Sequence, residues 1–274
     1  MSPTIKKESI TFSRVEQWYE KVHSDCKISF LSPEDQAYVV SADRNASESI
    51  LVHPDKTTYF KHAFVIPFWE MARFFFKDHD HPHLLDLGAG VGTQSLFFAM
   101  CGASVTAIDM DQRALEILEK RRQHYEAETE KPLNITCICA NTVEFDYAPL
   151  PEFDGIYSLF AFNLMKPVEH LLRKLTQHLA PSGKIAILDG NVSCLISRLI
   201  PSRKREALSP SKLNTYLQGL GLHIIDQKGQ MVLPSHFWKE RVSWPAKMVN
   251  SALRMGNWQL PYSYLLLAEK NEKT

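Results

Sequence analysis

From residue 83 onward, short apolar runs alternate with amphipathic stretches. HLLDL (83–87), SVTAID (104–109), NITCICA (134–140), FDGIYSLF (153–160) and KIAILD (184–189) have the length and residue types of buried strands. Between them, TQSLFFAM (93–100), QRALEILEKRRQHYEAE (112–128) and PVEHLLRKLTQHL (167–179) read as helices, and a further helix at SPSKLNTYLQGLG (209–221) precedes the strands LHIIDQ (222–227) and YSYLLLAEK (262–270). Such alternation implies right-handed crossovers, a parallel sheet covered on both faces, and ligands at the carboxyl ends of the strands. Residues 1 to about 57 show no clear period and carry turn signals at LSPEDQ and VHPDK. Between Tyr59 and Phe76, dense aromatic and aliphatic residues predict one or two buried helices, interrupted near Pro67 because its ring is not accommodated inside a regular helix. The expected division is 1–80 as an N-terminal cap with substrate-side helices and 81–274 as the main domain, with insertions at about 191–208 and 231–260.

Composition fits one sizeable core: 274 residues, 45% hydrophobic and 23% charged, with no low-complexity tract. A formal net charge of zero gives no global attraction to nucleic acid, and none is expected as a partner. The five cysteines, Cys26, Cys101, Cys137, Cys139 and Cys194, are odd in number and scattered, as expected of reduced thiols in a cytoplasmic protein. Cys137 and Cys139 share one strand face and are expected to serve as small core hydrophobes, not as a metal pair. The polar opening MSPTIKKES is not expected to act as a signal peptide, and the apolar window HAFVIPFWEMARFFF is broken by Pro67, Glu70 and Arg73 and is too short to cross a bilayer. The histidines of HDHPH (79–83) precede the first strand in a polar lead-in that Pro82 keeps extended, so a solvated loop is expected and no metal.

The turn after the first strand carries the chemistry. Gly88, Gly90 and Gly92 are spaced G-x-G-x-G, and the place of a third dinucleotide glycine is taken by Thr93, which argues against a phosphate cradle. Asp86 stands two residues before the first glycine, and Asp109 ends the next strand. Together they suit a ligand with an ammonium group and a free ribose.

LLDLGAGVG followed by VTAIDMD resembles motif I and the following acidic motif of the class I S-adenosylmethionine-dependent methyltransferases, of the small-molecule type related to methyltransferase types 11 and 12. FDGIYSLF resembles the fourth strand of that family, HLAPSGKIAILD its turn and fifth strand, and LSPSKLNTYLQGLGLHIID its next helix and sixth strand, so the similarity runs over about 83–270. The resemblance implies an α/β, Rossmann-like seven-stranded and mostly parallel sheet with helices on both faces, an N-terminal helical cap and a lid insertion before the last strand.

It also implies S-adenosyl-L-methionine as cofactor. The three glycines would let the backbone approach its methionyl part, Asp86 would lie near the ammonium end, and Asp109 would accept from both ribose hydroxyls in a charge-assisted pair. Met110 would pack on the adenine. Asn141, with Thr142 beside it, falls where the family usually has an acidic residue for the adenine amino group, and Phe160 to Asn163 would wall the cofactor from the acceptor. Methyl transfer from a sulfonium depends chiefly on positioning, so no base motif is obligatory. His62, Asn163 and Asp189 are the candidates to face the acceptor.

Between Asn191 and Trp258 ten basic residues face three acidic ones, interleaved with Trp238, Trp244 and Trp258. That mixture suits a small-molecule acceptor that is apolar with an anionic or lipid-linked group, methylated on oxygen or nitrogen, and peripheral contact with an anionic membrane surface. Two other classes stay open: a protein or RNA methyltransferase, and a cofactor-binding partner without turnover. Against the former, LFAFNL stands where modifiers of adenine or glutamine show a proline-rich tetrapeptide.

Overall fold

The computed structural model describes residues 10–25, 30–42, 57–191, 194, 209–231, 248, 250 and 261–271. Five strands run parallel: β1 (His83–Leu87), β2 (Ser104–Asp109), β3 (Ile135–Cys139), β4 (Phe153–Leu159) and β5 (Leu179–Gly190). β6 (Leu222–Gly229) and β7 (Ser263–Lys270) complete a seven-stranded sheet of order β3-β2-β1-β4-β5-β7-β6. β7 enters between β5 and β6 and is antiparallel to both, so the sheet is mixed on that side. Strand order reverses between β1 and β4. Crossovers leave in opposite directions there and open a crevice outside the carboxyl ends of those two strands.

Helices follow the sequence pattern over most of this region: α5 (Thr93–Met100), α6 (Gln112–Thr129), α7 (Val168–Gln177) and α8 (Pro210–Gly219). Asp111 caps α6 by accepting from the amides of Arg113 and Ala114, and Ser209 caps α8 by accepting from Lys212. One face of the sheet packs Leu85, Leu87, Ile187 and Leu266 with α7 and α8. The other packs Leu84, Val105, Ala186 and Leu265 with α5, α6 and the N-terminal helices.

The N-terminal region is helical, as the resemblance implies, although its residue pattern gave no period. It contains α1 (Phe12–Asp25) and α2 (Pro33–Ala42) where no period was expected. α1 buries Val15, Trp18, Tyr19 and Val22, a stripe at helical spacing. In α2 the supposed turn SPED is a helix start. Ser32 accepts from the Asp35 amide, proline occupies the first turn where its missing N–H costs nothing, and Glu34 and Asp35 face the positive end of the dipole. The interruption expected near Pro67 takes the form of a wider helical turn. The chain runs α3 (Thr57–Phe60), a π-helical turn Lys61–Val65 and α4 (Ile66–Phe75), with Pro67 in the first turn of α4. The wider turn just before the proline takes up the irregularity that its ring imposes on the preceding carbonyls.

The paired cysteines divide: Cys137 packs against the core, whereas Cys139 does not take the core role expected of it. β3 lies at the sheet edge, Cys137 is only half-buried and Cys139 is exposed. An edge strand has a neighbour on one side alone, so alternation there no longer means burial.

Candidate active site

The glycine turn is hooked over the end of β2. The amides of Gly88 and Ala89 both donate to the carbonyl of Ile108, at 2.9 and 3.1 Å, and the Gly92 amide donates to Ala89 at 3.0 Å. The three glycines serve different needs. A Cβ on Gly88 would meet the Ala161 Cβ at 2.5 Å, so its absence lets the loop after β4 close against the turn. A Cβ on Gly92 would lie 2.0 Å from Leu118 of α6. Only Gly90, with φ of +54°, would project a Cβ into open space. Of the three glycines expected to let the backbone approach a ligand, Gly90 is the one whose missing Cβ leaves open space.

Asp109 faces that turn. One carboxylate oxygen accepts from the Gly90 amide at 2.7 Å and the other from the Asp111 amide at 2.9 Å. A carboxylate has about four acceptor sites, so both oxygens keep capacity for a further donor. Met110, the next residue, is 76% exposed and lies open beside it.

Asp86 lies beneath the turn rather than on its surface. It is 4% exposed and accepts from Ser95 at 2.6 Å and Tyr157 at 2.9 Å. Burial pushes its carboxyl up to about 7, against the lowering effect of those two hydroxyls. Asn141 is exposed, and its side-chain oxygen accepts from the Val143 amide at 3.0 Å. Thr142 is buried and its carbonyl accepts from Tyr147.

On the β4 side, Phe160 sits at φ of +57°, a strained conformation for an aromatic residue. Its amide donates to Leu188 at 2.7 Å, and its ring lies 5.4 Å from that of Phe64 in the π-helical turn. The next residue, Ala161, is the one that closes against Gly88. Asn163 and Asp189 come together: the Asp189 carboxylate accepts from the Asn163 amide at 2.8 Å and the Gly190 amide at 2.6 Å, while the Asn163 side chain donates to the Gly190 carbonyl at 2.8 Å. Both are buried. This pair secures the loop after β4 to the end of β5. His62 lies half-buried on the π-helical turn, two residues before Phe64.

Sequence reasoning missed three groups that hold the turn from behind. Arg121 of α6, 1% exposed, donates to the Val91 carbonyl at 2.7 Å and to Thr93 at 3.2 Å. The Trp18 indole donates to the Thr93 carbonyl at 2.9 Å, and Gln94 donates to the Tyr19 hydroxyl at 3.0 Å. The helical stripe in α1 was the available signal. An arginine in the middle of a charged helix carries none.

The HDHPH histidines lie at the opposite, amino end of the sheet. His83 begins β1, its amide donating to Asp154, and His81 contacts the Gly102 carbonyl. Among the described residues no cluster of histidine, cysteine or acidic side chains could hold a metal ion. None of their helices is long and apolar enough to cross a membrane. Most of the basic, tryptophan-bearing segment falls outside the described residues. Within it, Lys228 pairs with Glu70 and Asp226, both at 2.9 Å.

Residues 84–183 match the family model described as a methyltransferase domain. A demethylmenaquinone methyltransferase from Tropheryma whipplei is 29% identical over 108 residues, covering 39% of this chain and 41% of the relative. The chain thus spans about two fifths of the length of the curated relatives it matches. Among solved structures, an S-adenosylmethionine-dependent methyltransferase from Mesorhizobium loti superposes with a TM-score of 0.53 at 17% identity, covering 74% of this chain and 98% of the other. Magnesium protoporphyrin IX methyltransferase from Synechocystis, with bound SAH, gives 0.53 at 13% identity, covering 78% and 87%.

Proposed function

We propose, from the match of residues 84–183 to a methyltransferase domain and the fold shared with S-adenosylmethionine-dependent methyltransferases, that the protein transfers the methyl group of S-adenosylmethionine to a small-molecule acceptor. The observation that carries this reading is the pairing of Gly90 with Asp109: an open, left-handed glycine whose amide fixes a strand-end carboxylate that still has acceptor capacity. These residues fit S-adenosylmethionine. Asp109 would accept from the ribose hydroxyls, Gly90 would leave room for the methionyl chain, and the exposed Met110 would lie along the adenine with Asn141 and Thr142 at its edge. Bound there, the cofactor supplies an electrophilic methyl group on a sulfonium.

The chain's own contribution is orientation and exclusion of water. Phe160, held by Phe64, would separate cofactor from acceptor, and the Asn163–Asp189 pair would keep that wall in place. Asp189 already accepts two backbone amides, which makes it a better anchor than base. His62, near Phe64, is the remaining candidate to receive a proton from the acceptor.

The excess of basic residues with tryptophans between Asn191 and Trp258 favours an acceptor that is apolar with an anionic group, and contact with anionic lipid. The relative named for demethylmenaquinone supports a small-molecule acceptor.

Calorimetry with S-adenosylhomocysteine tests the cofactor reading. Asp109→Ala should weaken binding roughly ten- to hundredfold, since a hydrogen bond to a charged group contributes about 1.5–3 kcal/mol. Binding of NADH in its place would overturn the reading. For the acceptor, cell extract incubated with methyl-labelled cofactor should carry label into its lipid or small-molecule fraction. Label confined to protein or RNA would reject the small-molecule acceptor. For the membrane contact, flotation with anionic but not neutral vesicles, fading at high salt, is expected, and equal flotation with both would reject it.

A further inference from the structure

A continuous chain of hydrogen bonds links the N-terminal cap to the glycine turn. The Tyr38 hydroxyl of α2 donates to one carboxylate oxygen of Asp111. The Asp111 amide donates to Asp109, and the other Asp109 oxygen accepts from the Gly90 amide. The remaining Asp111 oxygen is committed to capping α6 through Arg113 and Ala114, at 3.0 and 3.3 Å.

We propose that Tyr38 is a positioning residue of the cofactor site, its phenol holding Asp111 so that the Asp109 carboxylate is fixed for the ribose hydroxyls. This rests on the assignment of Asp109 made above.

α2 is anchored around this bond on several sides. Lys120 and Arg113 of α6 reach Asp35 at 2.7 and 3.7 Å, and the Arg113 guanidinium lies 4.8 Å from the centre of the Tyr38 ring. Beneath it, Leu31 and Val39 pack with Val91 of the glycine turn and with Ala114 and Ile117. α2 therefore joins both halves of the ribose scaffold, packing with Val91 of the turn and bonding to Asp111 just after the strand end. Only Met110 separates the two aspartates. With Asp111 held through its amide, both carboxylate oxygens and the helix start, Asp109 has little freedom left to lose when a ligand binds, which is how preorganisation gains affinity. Burial and the neighbouring Asp111 carboxylate push the Tyr38 phenol up to about 12, so it remains a donor throughout the neutral range.

The test compares S-adenosylhomocysteine with its 2′-deoxy analogue by calorimetry. In Tyr38→Phe the ring still stacks under Arg113 and only the donor is lost. Affinity for S-adenosylhomocysteine is expected to fall about five- to tenfold, a loss of roughly 1 kcal/mol, and the penalty for removing the 2′-hydroxyl to shrink, because a less fixed carboxylate distinguishes the two ligands less. Asp111→Asn, whose amide offers one acceptor oxygen for two duties, should also weaken binding, and the double variant should not add the two losses, as expected of groups in one chain.

Unchanged affinity in Tyr38→Phe would overturn the proposal. So would a fall in affinity with the 2′-hydroxyl penalty unaltered, which would mean that the phenol merely stabilises α2. Failure of the unmodified protein to bind S-adenosylhomocysteine would instead overturn the cofactor reading, so the two failures are distinct.

Discussion

Asp86 carries a pH signature at the scale of a single residue. Its proton is held to about pH 7 in the folded chain and released near 3.8 in the unfolded one. A group whose folded value is raised stabilises the fold fully below its unfolded value and loses that contribution as pH rises through the folded one, so this part of the stability declines between about pH 4 and 7. Asp86→Asn keeps an oxygen for Ser95 and Tyr157 without the buried charge. It should remove that decline and leave the variant at least as stable as the parent at pH 8, by up to a few kcal/mol, measured by urea unfolding across that range. The glycines give a second contrast. Gly90→Ala should cost only the left-handed penalty of about 1–2 kcal/mol yet lose tenfold or more in S-adenosylhomocysteine affinity, because its Cβ enters open space. Gly92→Ala adds a collision with Leu118 and should destabilise by about 1–3 kcal/mol more. Identical behaviour in the two variants would refute the division of roles. The spacing G-x-G-x-G pointed to the turn but could not separate these roles, since each depends on a neighbour distant in sequence.

At the scale of elements, the N-terminal helices are tied to the segment that follows the glycine turn. Trp18 is 5% exposed, donates to Thr93 and packs its ring against Phe97 and Tyr125 at 6.0 and 5.3 Å. Trp18→Ala should cost about 3–5 kcal/mol in denaturant unfolding and speed hydrogen exchange in the first turn of α5. A destabilisation below 1 kcal/mol would show that α1 is only loosely docked. Strands and helices from His83 to Asp189 were legible because each is long enough to display its own period and lies between clear turns. α1 was legible in principle through Val15, Trp18, Tyr19 and Val22, but charged neighbours dilute the stripe. The π-helical turn before Pro67 had no local signature, since the sequence shows the obstacle and not the accommodation. Nor could the alternation of β3 distinguish an edge from a central strand, which left Cys139 exposed where core was expected.

At the scale of the whole molecule, the sheet separates two ends with different chemistry. The carboxyl end gathers Gly90, Asp109, Phe160 and Asn163, while His81 and His83 lie at the amino end, tied to Gly102 and Asp154. Exhaustive dialysis against a chelator should therefore leave methyl transfer intact, and restoration of a lost activity by zinc or magnesium would move those histidines into the mechanism. The position of β7 has another consequence, for biosynthesis. Lys184 of β5 pairs with Glu269, and Leu222 of β6 with Lys270. While a ribosome is still making the residues before 263, β1 to β5 can already assemble, but β5 has an unpaired edge and β6 has nothing to join. The β5 side of the sheet is completed from inside, by the strand translated last of the seven. Until it arrives the nascent protein presents a bare strand edge of the kind that invites aggregation. A pause or premature stop in that stretch would thus produce a chain with its glycine turn already formed and no finished protein around it.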